Sequence, residues 1–249
     1  MTDLVTREDK DGVAYLSLNR PETLNALSPT LFVQLREHID AIATQTETIG
    51  CVVLRGEGRS FSAGNDLKAI QAGEAAPHPR HQAETIDALE ALPQPVIASV
   101  HGHCYTGALE LVLGCDLCVA AENTRFADTH GRWSMTPTWG MSQRLPRRVG
   151  TLNAKEMMFT GSDISGTEAV AIGLASKAVP AAELRGVTDV LAKQIVANSW
   201  HTIRADKSLV NGGHEMALAD ALEYERENSP GRGPDMAERL QSFGNQSKS

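Results

Sequence analysis

Two short segments hold the groups whose chemistry can be named first. Phe61-Ser62-Ala63-Gly64-Asn65-Asp66-Leu67 follows the apolar run Cys51-Val52-Val53-Leu54. His101-Gly102-His103-Cys104-Tyr105-Thr106-Gly107-Ala108-Leu109-Glu110 follows Pro95-Val96-Ile97-Ala98-Ser99-Val100. Each reads as a strand entering a turn and then a helix, so each offers a backbone N–H at the turn. Two such turns face to face supply two donors to one oxygen, the requirement for holding a thioester enolate. Preorganised donors aimed at developing charge are usually the largest catalytic contribution, one donor being worth about 3–4 kcal/mol. Gly64 and Gly107 lack a Cβ, which lets a ligand approach the backbone. Glu110, on the first turn of its helix, is placed to move a proton beside that oxygen, although a carboxylate is favoured there electrostatically whether or not it catalyses.

The elements that must position these groups follow from periodicity. Val13–Leu18 has strand character and ends at Asn19-Arg20-Pro21. Ser28-Pro29 reads as an N-cap followed by a first-turn proline, with Leu31, Leu35, Ile39 and Ile42 at helical spacing through Ala43. A strand at Cys51–Leu54 stops at Gly56-Glu57-Gly58, and residues 72–82 have no apolar period and read as an exposed loop. Next come a helix over 83–92, a strand over 96–100, a helix over 107–114 and a strand over 117–121. The stretch 122–146 reads as one long loop. Helices over 152–159 and 165–172 follow, the second closed by Gly173, then a strand over 175–179 and helices over 181–197, 203–211 and 217–226. Strands alternating with helices predict an α/β core; the helical final third predicts a docking or oligomerisation element.

Bulk properties narrow the function classes. A chain of 249 residues, 41% apolar, suits an ordinary enzyme of one or two domains. A formal net charge of −8 argues against nonspecific binding to nucleic acid or to an anionic membrane. No run approaches the roughly 18–20 apolar residues of a membrane helix. The N-terminal segment lacks the basic-then-apolar build of a secretory signal, so the cytoplasm is the expected location. Cys51, Cys104, Cys115 and Cys118 are expected to be buried thiols; the C-x-x-C at 115–118 has no second pair at zinc spacing. His101-x-His103 lacks an evident third ligand, and no metal is expected. Lys68 and Lys207 are candidates to reach phosphates, against the commoner reading of solvated surface lysines.

Taken together, several pieces resemble the enoyl-CoA hydratase/isomerase (crotonase) family over about residues 12–215. They are Asn19-Arg20-Pro21…Asn25-Ala26-Leu27, Phe61 to Leu67, Pro95-Val96-Ile97-Ala98 running to Glu110-Leu111…Cys115-Asp116, Phe126-Ala127-Asp128, and Gln143-Arg144-Leu145-Pro146…Val149-Gly150. The resemblance implies an α/β spiral of ββα turns with nearly perpendicular sheets over residues 1–195. It also implies a helical C-terminal region over 196–249 and assembly into homotrimers or hexamers. The substrate would be an acyl-CoA thioester, with coenzyme A part of the substrate and no separate cofactor. Carried over by position, Ala63 and Gly107 would donate the oxyanion-hole N–H groups, and Glu110 would be one of two catalytic glutamates. Ala63, Gly64, Asn65, Asp66 and Leu67 would contact coenzyme A, and Asn25, Ala26 and Leu27 would line its channel.

This chain departs from the family pattern at the second glutamate, where His130 stands. A neutral imidazole accepts a proton and an imidazolium returns one, so His130 either replaces the missing carboxylate or contacts the acyl chain. Asp128 is the nearest carboxylate, but its offset of two residues is expected to turn it elsewhere. Thr106-Gly107-Ala108 stands where many relatives carry three glycines, which narrows backbone freedom. Trp133, Met135 and Trp139 either shape the acyl pocket or pack their loop. The tail Gly231–Ser249 departs from the pattern and weakens any coenzyme A contact from that end. The expected activity is hydration of a 2-enoyl-CoA, with a Δ3–Δ2 isomerase using one glutamate and a non-catalytic acyl-CoA-binding homologue as the alternatives.

Overall fold

The computed structural model describes residues 3–246. β1 (Val5–Lys10) and β2 (Val13–Leu18) form an antiparallel hairpin. Its two-residue turn is Asp11-Gly12, with φ of 51° and 79°, the backbone that Asp-Gly pairs favour. α1 (Pro29–Ala43) starts where Ser28 accepts the Leu31 N–H at 3.2 Å, and it buries Leu31, Phe32, Leu35, Ile39 and Ile42. After β3 (Cys51–Gly56) come α2 (Leu67–Gln71) and α3 (His81–Glu90). Then follow β4 (Val96–Val100), β5 (His103–Tyr105), α4 (Gly107–Leu113), β6 (Leu117–Ala121) and β7 (Arg125–Ala127). A short 3-10 helix at His130–Trp133 leads to α5 (Met141–Val149) and α6 (Thr151–Thr160). The chain closes with β8 (Ile164–Ser165), α7 (Gly166–Ala171), β9 (Lys177–Val179), α8 (Leu184–Val196), α9 (Trp200–Gly213), α10 (Leu218–Asn228) and α11 (Met236–Gln246).

The strands make two sheets, one in the order β1-β2-β3-β4-β6-β9 and one in the order β5-β7-β8. β2, β3, β4, β6 and β9 run parallel; β2, β3, β4 and β6 are largely buried, and β9 closes the edge partly exposed. Alternation along the strands sorts the core into two layers. Val13, Tyr15, Val53, Ile97 and Val119 face α8 through Leu184 and Ala192. Leu16, Leu18, Leu54, Ala98 and Val100 join the larger cluster with α1 and α4.

The path is a spiral. β4 lies in the large sheet, β5 in the small one, and α4 follows; β6 and β7 repeat the move. β3 begins an earlier turn of the same kind, in which Ser62 bridges in parallel to Cys104 of β5 before α2 begins.

Two expectations need correction. The stretch 122–146 is not one loop, because Arg125–Ala127 pairs with β5 and α5 already begins at Met141 and runs through Pro146. Lys207 is not a free surface cation: its Nζ meets Asp116 Oδ2 at 2.7 Å and the Gln94 carbonyl at 3.1 Å, with 8% of the side chain exposed. That ion pair, with Trp200 packed over Gly12 and Gly50, fastens α9 to the core. Residues 247–249 of the atypical tail lie outside the described residues. Among the described residues no helix is long and apolar enough to cross a membrane.

Candidate active site

The site is assembled where three successive turns of the spiral leave the small sheet. Ser62 pairs with Cys104, and Cys104 pairs with Phe126. Counting three residues on from each paired position gives Asn65, Gly107 and Thr129, so these are spatial equivalents. Gly64, at φ 90°, is required by its neighbour, since a Cβ there would strike the Tyr105 carbonyl of the next turn. At Gly107 a Cβ would strike the Trp139 ring. Gly64 therefore serves the crossing of protein segments, where ligand approach was the expectation, whereas Gly107 both packs against Trp139 and lines the cavity.

Register also corrects the oxyanion donor. The Ala63 N–H is already spent on the Leu24 carbonyl at 2.9 Å, so Ala63 does not serve as the free donor. Asn65 bridges in parallel to Leu27. In that bridge Leu27 N–H donates to Gly64 O at 2.8 Å and Asp66 N–H to Leu27 O at 3.1 Å, which leaves the Asn65 amide facing away. The Asn65 and Gly107 N–H groups have no hydrogen-bond partner among the described residues. Both residues line a cavity of about 300 Å³ together with Thr106, Glu110, His130, Met135 and Trp139.

Other expected contacts with coenzyme A are also internal. Asn25 is fully buried; its Oδ1 accepts the Arg20 N–H at 2.8 Å and its Nδ2 donates to the Glu57 and Ser60 carbonyls at 2.8 Å. Leu27 is 1% exposed. Neither side chain lines a channel; they hold the loop from within. Asp66 caps α2 by accepting from Lys68 N and Ala69 N and pairs with Arg20 at 2.8 Å. Burial opposes its charge, but the Arg20 and backbone donors outweigh it and lower the Asp66 pKa. Ala26 and Leu67 are half-buried, and Lys68 is exposed beside the Asn65 turn.

Glu110 is 1% exposed. Its Oε1 accepts the Trp139 and Met141 N–H groups, each at 3.0 Å, which fixes the carboxyl and leaves Oε2 for chemistry. Burial raises its pKa, opposed by the Met141 amide, His130 and the Trp139 amide. His130 Nε2 stands 3.8 Å from Glu110 Oε2. That gap is too long for a direct bond, but one water oxygen can reach both atoms at about 2.8 Å.

Asp128 does not point away, as its offset had implied. Its Oδ1 takes the His130 N–H at 3.1 Å and meets His130 Nδ1 at 2.6 Å. A carboxylate only accepts, so the network assigns the proton to Nδ1 and turns Nε2 towards the cavity. Burial works against the imidazolium, yet Asp128 and then Glu110 outweigh it, and the His130 pKa is raised. The side-chain-to-backbone bond across two residues is a local habit of Asp, and it is the signal that the sequence offered.

Thr106 has φ 53° and ψ −109°, a backbone that favours glycine. Its Oγ1 meets Thr129 Oγ1 at 2.5 Å and accepts the Thr129 N–H at 3.2 Å, tying the Gly107 turn to the His130 segment. Trp133 is 56% exposed, whereas Met135 and Trp139 line the cavity. His101 and His103 are engaged separately, by the Gly58 carbonyl and Ser60 Oγ. The four cysteines are free and buried, and burial pushes Cys51 and Cys118 up to about 12.

Two free amides over a buried carboxyl and an oriented imidazole can stabilise an oxyanion and move protons on either side of it. Comparison with known proteins agrees with that geometry. A family profile described as enoyl-CoA hydratase/isomerase matches residues 8–243. The chain is 34% identical over 224 residues to a short-chain-enoyl-CoA hydratase of Clostridium acetobutylicum, covering 88% of this chain and 85% of the relative. It is 31% identical over 222 residues to a crotonyl-CoA hydratase of Syntrophomonas wolfei, covering 88% and 85%. The crystal structure of an enoyl-CoA hydratase from Bacillus anthracis superposes with a TM-score of 0.91 at 32% identity, covering 98% of this chain and 96% of that one. The fold is the crotonase fold, and the chain belongs to the enoyl-CoA hydratase/isomerase family.

Proposed function

We propose that this protein adds water to the double bond of a 2-enoyl-CoA thioester. The observation that carries the reading is the Glu110–His130 pair, held 3.8 Å apart in the cavity that the Asn65 and Gly107 amides also line. The thioester oxygen would sit between those two amides, where the enolate charge develops. A water shared by Glu110 Oε2 and His130 Nε2 would lie beside the β-carbon. Glu110, as carboxylate, takes a proton from that water while its oxygen bonds to the β-carbon. His130, as imidazolium stabilised by Asp128, delivers a proton to the α-carbon as the enolate collapses. The product is a 3-hydroxyacyl-CoA, and coenzyme A leaves attached to it, so no separate cofactor takes part.

An isomerase needs only one group to carry a proton between carbons. The separate fixing of two titratable side chains by Trp139, Met141 and Asp128 favours hydration. Mixing the protein with crotonyl-CoA tests this: conjugated-thioester absorbance falls and the product gains the mass of one water. A 3-enoyl-CoA converted to the 2-enoyl isomer, with no hydration, would point to the isomerase instead. Binding without turnover would point to the non-catalytic homologue.

The assembly we propose is a homotrimer or hexamer. Exposed Leu152, Phe159, Leu218 and Phe243, at 72–80% accessibility, supply apolar surface for it. Light scattering in solution gives the mass directly, and a monomer would refute the assembly.

A further inference from the structure

Trp139 forms a wall of the cavity beside Gly107, and it is fixed from several directions. Its ring lies where a Cβ on Gly107 would be. It stacks edge-on against the fully buried Phe32, with centroids 5.0 Å apart at 71°. Its N–H is held by Glu110, and its carbonyl accepts Arg144 Nη1 at 2.9 Å. Arg144 is itself anchored at 2.6 Å by both Asp87 and Glu90. These bonds fix the Trp139 backbone, and the ring is lodged by its packing against Gly107 and Phe32.

The space left is small. A cavity of about 300 Å³ is at the lower end of the range for ligand pockets, about 300–1,000 Å³. It must take the thioester, the reacting carbons and the shared water before any alkyl tail. Besides Trp139 and Met135, the lining includes the hydroxyl side chains of Ser134, Thr136 and Thr138. A long alkyl chain laid there would strip water from hydroxyl groups without giving them partners.

We propose that Trp139 sets the acyl-chain limit, confining the protein to short-chain 2-enoyl thioesters of crotonyl size and excluding octenoyl and longer chains. This rests on the reading of the cavity as an acyl-CoA site. Even one methylene in an apolar pocket changes discrimination by roughly tenfold or more, so a fixed indole in the path of a longer tail has a large effect.

The test is calorimetric titration with saturated thioesters, which cannot be hydrated: butyryl-, octanoyl- and dodecanoyl-CoA against wild type, Trp139→Ala and Trp139→Leu. Wild type is expected to bind butyryl-CoA at least tenfold more tightly than octanoyl-CoA. Both variants are expected to gain at least tenfold for octanoyl-CoA relative to butyryl-CoA. Wild type binding octanoyl-CoA as tightly as butyryl-CoA would overturn the proposal outright, whatever the variants do. So would an unchanged preference in whichever variant keeps a cooperative thermal transition. Failure of crotonyl-CoA turnover with this binding pattern intact would remove hydration and leave the chain-length limit standing.

Discussion

Replacing Asp128 with Asn removes one buried negative charge and leaves the size of the side chain nearly unchanged. Asp128 and His130 expose 2% and 11% of their side chains, so little solvent screens the 2.6 Å contact between them. A hydrogen bond to a charged group contributes about 1.5–3 kcal/mol. Losing it favours the neutral imidazole and lowers the His130 pKa. Asp128 and Glu110 outweigh burial and raise the folded-state His130 pKa, so the imidazolium persists above the ordinary value and is lost only as pH rises through the raised one. If imidazolium is the acid, the basic limb of kcat/KM against pH belongs to His130 and the acidic limb to Glu110. Asp128→Asn then moves the basic limb to lower pH, and the acidic limb moves less because Asp128 is the smallest of the influences on Glu110. The same linkage affects stability: the raised pKa stabilises the fold fully below about pH 6.5 and fades as pH rises through the folded value. The variant should lose that slope in its melting temperature. A basic limb that stays put, or moves upward, would refute His130 as the proton donor.

Three further replacements test the corrected donor and the ion pair that fastens α9. An amide-to-ester replacement at Asn65 should lower kcat by about 10²–10³ with little change in stability. The same replacement at Ala63 should cost about 0.5–1.5 kcal/mol of stability, through the bond to Leu24, and spare kcat. Equal kinetic losses at the two sites would return Ala63 to the oxyanion hole. Lys207→Ala should destabilise the protein by about 2–3 kcal/mol, less than a fully buried pair because Asp116 is part-exposed. That corresponds to roughly 4–12 °C in melting temperature. The KM for the thioester should not move; a selective rise in KM would mean that Lys207 reaches the coenzyme.

Much of the framework was legible because it is written locally. Ser28-Pro29 and the stripe from Leu31 to Ile42 specify α1 within one segment, and Val13–Leu18 and Val96–Val100 carry strand chemistry outright. β1 escaped notice because Thr-Arg-Glu-Asp-Lys follows its one apolar residue, Val5; the Asp11-Gly12 turn was the cue. β7 is three residues long and is defined by its pairing with β5 and β8, both remote in sequence. In the site, the spacing put Gly107 at a helix start and Glu110 on its first turn, and both line the cavity. The exchange of Ala63 for Asn65 was not legible in the sequence, because it depends on which peptide of a parallel bridge faces outward. Asn25 and Leu27 read as channel-lining for a similar reason: burial is a property of the assembled turn. Asp128 acquires its role only when the 3-10 helix folds His130 back over it.

The claim that Glu110 and His130 share one reaction is tested most directly by crotonyl-CoA turnover in wild type, Glu110→Gln and His130→Gln, with butyryl-CoA binding measured alongside. Wild type should yield 3-hydroxybutyryl-CoA, and each variant should lose about 10²–10⁴ in kcat while still binding butyryl-CoA. Glu110→Gln turning over at the wild-type rate, or wild type binding crotonyl-CoA without adding water to it, would contradict the claim.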